Sequence, residues 1–188
     1  VFAVHLGVVV AFGEDGTTWH YDGTNWSQQS PSVSPPAGGG FALGYDPLRQ
    51  VVVLYGSYLQ GAFSRDTWEY DGFTWTQILT ANAPLSGPSR MAFDATLGVM
   101  VARVRNTQML SDWDWTYDGV DWTSIPTVQG SYPWPQPLVT SPVNGRVWWI
   151  NKLNTPVIEE LEGTSWLPVT ATLRPPERYG GGAAVDPR

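Results

Sequence analysis

TWHYDGTNW (Thr18–Trp26) is spelled again as TWEYDGFTW (Thr67–Trp75) and as DWTYDGVDW (Asp114–Trp122), and these copies decide the fold. A degenerate fourth copy, IEELEGTSW, runs from Ile158 to Trp166. The W-x-Y alternation places both aromatic residues on one face of a strand, and the Asp-Gly pair that follows is typical of a tight hairpin turn. Because the copies return every 44 to 49 residues, they indicate a repeat architecture.

A second repeated pattern precedes each later copy. It reads ALGYDPLRQVVVLYG from Ala42, RMAFDATLGVMVARV from Arg90 and LVTSPVNGRVWWIN from Leu138. Each stretch has an alternating segment, a short turn and a dense run of apolar residues, which predicts two further strands. Every unit therefore holds four strands, A to D. The sequence predicts an all-β fold: a β-propeller of four-stranded antiparallel blades, with four blades per chain.

The W-x-Y, Asp-Gly and Trp spelling resembles bacterial kelch repeats of the galactose-oxidase-like type, over essentially the whole chain. The chain departs from that pattern after strand B, where kelch units carry two glycines. It has instead FGED (Phe12–Asp15), YGSY (Tyr55–Tyr58), RVRN (Arg103–Asn106) and WINK (Trp149–Lys152). The family's copper-radical oxidase chemistry needs a cysteine, and the sequence has none.

Aligning the units on the turn between strands A and B indicates where the ring is cut. Asp46 and Asp94 each lie five residues before the first valine of strand B, and Ala3 holds that position in the first unit. The first unit therefore has almost no strand A, while Asp186 indicates an additional strand A near the C-terminus. We expect one domain over 1–188, with units of approximately 1–36, 37–88, 89–135 and 136–177 and an extra strand at 178–188.

Three arrangements satisfy this cut. The last strand completes the first blade in a closed four-bladed monomer, two copies form an eight-bladed homodimer, or the chain is an open fragment. The chain opens at Val1 without an initiator methionine, so we expect a processed chain or a fragment. VFAVHLGVVVAF at the start lacks the basic leader and the cleavage site of a signal peptide.

Charge excludes two classes of partner. The net charge is -7 and Lys152 is the only lysine, so the chain is poorly suited to nucleic acid or to an anionic membrane surface. The absence of cysteine excludes disulfides and thiolate metal sites. We expect a soluble protein; the sequence leaves its location open, with a secreted or periplasmic protein among the options.

Residues that recur with the period are interpreted as packing or turn residues. They comprise the tryptophans Trp19, Trp26, Trp68, Trp75, Trp115, Trp122 and Trp166, and the aspartates Asp22, Asp71 and Asp118. Ligand-binding candidates are therefore non-periodic residues: Arg103, Arg105, Trp134, Tyr58 and Asn151. Arg103 and Arg105 suit a carboxylate or phosphate, unless they pair with Asp112 or Asp114. Trp134, held between two prolines, suits a sugar ring or fills its own loop.

The two histidines raise the alternative of a metal-assisted hydrolase. His5, His20, Asp22 and Glu14 are candidate ligands of a divalent ion, zinc or calcium, and His5, His20 and Asp15 are candidate catalytic residues. The substrate would be an ester, lactone or phosphotriester, bound at the channel or at a seam between chains. We expect His20 on the outward side of strand C, because its counterparts are Glu69 and Thr116.

The sequence favours a kelch-like scaffold that binds a small molecule, a sugar or a protein on its loop face. No cofactor is needed for this fold. The hydrolase and a carbohydrate-binding module that uses Trp134 are the alternatives.

Overall fold

The computed structural model describes residues 1–84, 89–106, 111–126, 137–151 and 157–170. All regular structure in these ranges is β-strand, arranged in four sheets of four strands. We number the strands β1 to β16 in chain order and the sheets as blades 1 to 4.

The strands of the four blades have the following bounds. Blade 1 contains β1 (Phe2–Ala3), β2 (Val8–Phe12), β3 (Thr18–Tyr21) and β4 (Trp26–Gln29). Blade 2 contains β5 (Ala42–Asp46), β6 (Val51–Leu59), β7 (Ala62–Tyr70) and β8 (Trp75–Ile78). Blade 3 contains β9 (Ser89–Asp94), β10 (Val99–Asn106), β11 (Ser111–Tyr117) and β12 (Trp122–Ile125). Blade 4 contains β13 (Leu138–Thr140), β14 (Val147–Asn151), β15 (Val157–Glu162) and β16 (Ser165–Pro168).

Each blade pairs its strands in chain order, and every pairing is antiparallel. The register gives the blades a common frame. Ala3 lies opposite Val8, Asp46 opposite Val51 and Asp94 opposite Val99, as the alignment on the A–B turn predicts. The predicted fold class, an all-β propeller with four blades, is confirmed.

The first strand of blade 1 is very short, as predicted. Strand β1 has only two residues, whereas β5 and β9 have five and six. The predicted extra strand at 178–188 lies outside the described residues, so closure of the ring by that strand stays a prediction.

The turn between the third and fourth strands is built by its Asp-Gly pair. Asp22 Oδ1 accepts hydrogen bonds from the backbone N–H groups of Thr24 and Asn25, at 2.7 and 2.8 Å. Gly23 has φ +97°, a backbone conformation that residues other than glycine rarely adopt. Asp71 and Asp118 make the same pair of bonds in blades 2 and 3, which confirms their role as turn caps.

The hydrophobic core is divided among the interfaces between neighbouring blades, which we call seams. Trp75 and Trp122 are each 1% exposed in the seams between blades 1 and 2 and between blades 2 and 3. A third cluster, which includes Trp149 and Leu161, fills the seam between blades 3 and 4. Burying a ring of this size contributes about 3 kcal/mol to the stability of the fold. The repeated tryptophans therefore serve packing. The described part of the chain has no helix with the length and apolarity that a membrane crossing requires.

Candidate functional site

A hydrogen bond donated by a tryptophan indole N–H crosses each of the three seams. The indole N–H of Trp75 donates to Thr18 Oγ1 at 2.9 Å, and that of Trp122 donates to Thr67 Oγ1 at 2.8 Å. In the third seam the indole N–H of Trp166 donates to Asp114 Oδ2 at 2.6 Å. The first two acceptors are neutral hydroxyl groups, whereas the third belongs to a carboxylate.

The residue that packs against this tryptophan also changes in the third seam. Phe12 and Tyr55 hold the same position on the second strand of their blades. Their ring centroids lie 5.4 and 4.7 Å from those of Trp75 and Trp122. Arg103 holds that position in blade 3, with its Cζ 4.9 Å from the ring centroid of Trp166. An aromatic contact is therefore replaced by a guanidinium group.

Blade 4 completes the change from its own side of the seam. Trp149 stands where blades 2 and 3 have Leu54 and Ala102. On the neighbouring strand, Glu159 stands where blades 2 and 3 have the first tryptophan of W-x-Y. We call this set the polar seam; it consists of Arg103, Asp114, Trp149, Glu159 and Trp166.

Arg103 is held by Asp114 in a fork geometry. Its Nε and Nη2 donate to Asp114 Oδ1 and Oδ2, both at 2.7 Å. The guanidinium carbon lies 3.8 Å from the ring centroid of Trp149, a cation–π contact. Arg103 is 8% exposed and Asp114 is fully buried, so the pair is removed from water. The sequence predicts either a ligand role or an ion pair for Arg103, and the structure shows the ion pair with Asp114.

Glu159 lies beside this pair with hydrogen-bonding capacity to spare. It lies opposite Trp149 on β15 and is only partly exposed. Burial raises the pKa of its carboxyl group; the charge of Arg103 opposes that rise and the charge of Asp114 adds to it. Among the described residues, the Glu159 carboxyl group has no hydrogen-bond partner, and Nη1 of Arg103 has none either.

The ion pair of the polar seam is not accounted for by a gain in stability. A buried ion pair stabilises a fold little, because the cost of removing two charges from water offsets their attraction. The other two seams show that an apolar arrangement fits this position of the repeat. A half-buried carboxyl group, a guanidinium N–H and indole rings together match a small ligand that has hydroxyl groups and an apolar face.

Several predicted ligand-binding residues cannot be placed beside this site. Trp134 lies outside the described residues, as do the side chains of Arg105 and Asn151. The backbone of Arg105 lies opposite Asp112 and that of Asn151 opposite Val157. Their proposed roles stay predictions.

Two other candidates come together on the loop side of blades 1 and 2. Tyr58 is bridged through its backbone to Gly39, and its ring lies 4.8 Å from that of Phe63. The backbone N–H of Gly38 donates to the carbonyl of Glu14 at 2.8 Å, so the glycine segment joins Glu14 to Tyr58. Tyr58 and Glu14 are both exposed.

The two histidines contact different tyrosines across the seam between blades 1 and 2. Nδ1 of His5 lies 3.0 Å from the hydroxyl of Tyr45, and the two rings stack. Nε2 of His20 lies 3.2 Å from the hydroxyl of Tyr70. The expectation that His20 points outward is therefore wrong: its ring faces blade 2, because alternate residues of β3 face opposite sides of the sheet. Burial lowers the pKa of His20 and raises that of Tyr70 to about 12.

The proposed metal ligands do not form a cluster in the described residues. No three His, Asp or Glu side chains there are placed to hold an ion. Asp22 is engaged in its turn, and Asp15 accepts hydrogen bonds from the backbone N–H and the hydroxyl of Thr17. The hydroxyl bond is the main reason that the pKa of Asp15 lies below its usual value. A divalent ion and hydrolase chemistry stay predictions.

The sequence alone does not indicate Asp114, Trp149 or Glu159 as site residues, and its period places Trp166 among the packing tryptophans. A signal was present for Glu159: it replaces the tryptophan of W-x-Y in the degenerate fourth copy. The significance of Asp114 and Arg103 depends on the pairing of blades, which positions them against blade 4.

The likeness to known proteins is one of structure. No protein-family model matches the sequence, and a search of curated proteins finds no match. A mutant of the Aleuria aurantia lectin, in complex with α-methyl-L-fucoside, has a TM-score of 0.56 and 14% identity. That match covers 87% of this chain and 56% of the lectin chain.

Two further solved structures give the same result. The Aleuria aurantia lectin mutant in complex with Fucα1-6GlcNAc has a TM-score of 0.54 and 13% identity, over 88% of this chain and 62% of the lectin. A protein of unknown function from Bacteroides thetaiotaomicron has a TM-score of 0.50 and 15% identity, over 84% of this chain and 39% of its own. This chain therefore spans less than two thirds of each of these proteins. The sheet topology and these structural neighbours together establish that the chain has the β-propeller fold.

Proposed function

We propose that this chain is a carbohydrate-binding propeller and that the polar seam between blades 3 and 4 is its sugar site. The observation that carries the proposal is the replacement of a repeated apolar contact by Arg103, Asp114 and Glu159 in this seam. A departure from the packing rule that the other seams follow is typical of functional sites. The two lectin structures named above, in complex with a fucoside and a fucosyl disaccharide, add support from proteins of the same fold.

Three kinds of group would contact the sugar: a carboxylate, a guanidinium group and an indole ring. The Glu159 carboxylate accepts hydrogen bonds from two neighbouring hydroxyl groups of the sugar, and Nη1 of Arg103 donates to a third oxygen. Asp114 keeps the guanidinium plane fixed, so Arg103 loses little side-chain freedom when the ligand binds. The indole ring of Trp166, which is partly exposed, covers the apolar face of the sugar.

Calorimetric titration of methyl glycosides tests this proposal. A panel with α-L-fucoside, α-D-mannoside and β-D-galactoside should contain at least one ligand that binds saturably. Glu159→Gln should weaken that binding by about tenfold or more, since hydrogen bonds to a charged group contribute about 1.5–3 kcal/mol. Glu162→Gln is the matched control, because it removes the same charge from a more exposed position of the same strand. Absence of binding across the panel, or equal affinities for wild type and Glu159→Gln, would contradict the proposal.

The kelch assignment is retained as a proposal on sequence grounds. It rests on the three full copies of the W-x-Y and Asp-Gly spelling and on the cap that each aspartate forms. The two-glycine feature of kelch units is missing after strand B, so the assignment concerns the third and fourth strands of each blade.

A further inference from the structure

One face of blade 1 is built like a seam, but none of the described blades packs against it. This open face consists of Phe2, Val9, Ala11, Trp19, Tyr21 and Trp26. Its last member, Trp26, is 52% exposed, whereas the equivalent Trp75 and Trp122 are 1% exposed. The Trp26 indole N–H also has no hydrogen-bond partner among the described residues, although its equivalents donate across their seams.

The aromatic pair on the open face is already arranged for docking. The ring centroids of Tyr21 and Trp26 lie 5.1 Å apart. In blades 2 and 3 the equivalent pairs, Tyr70 with Trp75 and Tyr117 with Trp122, lie 4.9 Å apart and are buried. The open face thus presents the same surface that blades 2 and 3 present to the blade before them.

Blade 4 carries the complementary kind of face, on its side away from blade 3. Trp148 and Ile150 on β14 and Ile158 on β15 supply the apolar part. Glu160 holds the position of Glu69, which accepts a hydrogen bond from the Tyr117 hydroxyl at 2.8 Å. Glu160 is also paired with an arginine, Arg146, as Glu69 is paired with Arg49. Glu160 is therefore placed to face the hydroxyl of Tyr21, which within this chain donates to the carbonyl of Gly23 at 2.9 Å. Its carboxylate accepts hydrogen bonds from Asn144, Arg146 and Trp148 of its own blade.

We propose that blade 4 of a second copy of this chain docks on the open face of blade 1. In the part of one chain that the structure describes, the half exposure of Trp26 shows that the two faces are not packed together. Two copies related by a two-fold axis would form two identical seams and leave neither face open. One position differs from the internal seams: Ile158 stands where Thr18 and Thr67 accept the indole hydrogen bond.

That difference supplies a substitution that should strengthen the dimer. Ile158→Thr restores the acceptor for the Trp26 indole. A buried hydrogen bond contributes about 1 kcal/mol, which is about a fivefold change per seam and roughly twenty-five-fold for a dimer with two seams. Trp26→Ala should weaken the dimer by about tenfold or more, because it removes the aromatic residue whose equivalents, Trp75 and Trp122, are buried in the internal seams.

Sedimentation velocity over a concentration series tests the proposal. We expect a species of twice the 20.7 kDa chain mass that dissociates on dilution, with the shifts just given for the two variants. Phe73→Ser is the control, since Phe73 is 79% exposed in a turn of blade 2 and lies off the open face. A 20.7 kDa species at every concentration would overturn the proposal, and so would a dimer of unchanged affinity in both variants. Ile158→Thr keeps the test decisive if Trp26→Ala does not fold, because the two residues lie on different blades.

Discussion

The indole N–H of Trp166 donates to Asp114 Oδ2 at 2.6 Å, in the place where the other two seams have a tryptophan and a threonine. Asp114 Oδ2 also accepts from Arg103 at 2.7 Å, so one carboxylate oxygen joins the two blades to a buried cation. The propeller thus keeps its repeated tie between blades while changing the chemistry of one seam.

The hydrogen bond that Thr67 accepts across its seam should make a measurable contribution to the free energy of unfolding. Thr67→Val leaves the buried indole N–H of Trp122 without its acceptor, so we expect a loss of about 1–3 kcal/mol in the free energy of unfolding. Urea denaturation followed by tryptophan fluorescence measures this loss. Thr76→Val, at an exposed position of the same blade, should change stability by less than about 0.5 kcal/mol. Equal effects of the two substitutions would contradict a structural role for the hydrogen bond.

The ion pair of the polar seam should behave differently in single and double variants. Arg103→Met leaves Asp114 buried without its cation, and we expect a loss of about 3–5 kcal/mol. Arg103→Met combined with Asp114→Thr removes both charges and keeps an acceptor for Trp166. The double variant should recover most of that loss in urea denaturation and should bind no sugar. A double variant less stable than Arg103→Met would show that the charged pair is needed for the fold.

Glu159 should strengthen sugar binding and lower the stability of the fold. Both effects should become smaller as the pH falls. Its carboxyl pKa is raised by burial above the ordinary 4.5, so the ionised form destabilises the fold at neutral pH and ceases to do so below about 4.5. Glu159→Gln should therefore melt higher than wild type at pH 7, with the gap closing as the pH falls.

Thermal melts of both proteins from pH 4 to pH 7 measure this gap. Sugar binding by wild type should weaken over the same fall in pH, because a protonated carboxyl group is a poorer acceptor. A gap that stays constant with pH would mean that Glu159 does not titrate in this range.

His20 should make the seam between blades 1 and 2 sensitive to acid. Burial lowers its pKa below 6.5, so the unfolded chain takes up a proton more readily than the folded chain. Stability is then lost as the pH falls from 6.5 through the lowered pKa. His20→Gln keeps a side chain that can hydrogen-bond to the Tyr70 hydroxyl and removes the titration, so its melting temperature should change less between pH 7.5 and pH 5. His5→Gln is the control for the other histidine; an identical acid response in wild type and His20→Gln would contradict this account.

The sequence predicts much of this fold because the period determines it. The spacing of the Asp-Gly turns and the W-x-Y alternation specify strands three and four of each blade, and Asp46 and Asp94 specify the A–B turn. The short first strand at Ala3 follows from the same alignment. The direction of His20 could not be predicted so well, because it depends on which side of the sheet the next blade occupies.

The site was harder to predict, because its parts come from two blades. Arg103 could be selected as a non-periodic residue, but its contacts with Trp149 and Trp166 arise only when blade 4 packs against blade 3. Asp114 begins a motif copy, and the sequence indicates for it only a pairing with the arginines. Glu159 lies in a weak repeat, where a charged residue is easily dismissed as degeneration of the pattern.

The most direct test of the sugar site is a titration followed through the indole N–H resonances in ¹H–¹⁵N NMR spectra. The glycoside is the one that binds best in the calorimetric panel, with Trp166→Phe and Trp75→Phe spectra used for assignment. We predict that the Trp166 resonance shifts saturably while that of Trp75, in an apolar seam, stays in place. A Trp166 resonance that does not move while the glycoside binds, or no binding at all, would contradict the assignment of the polar seam as the site.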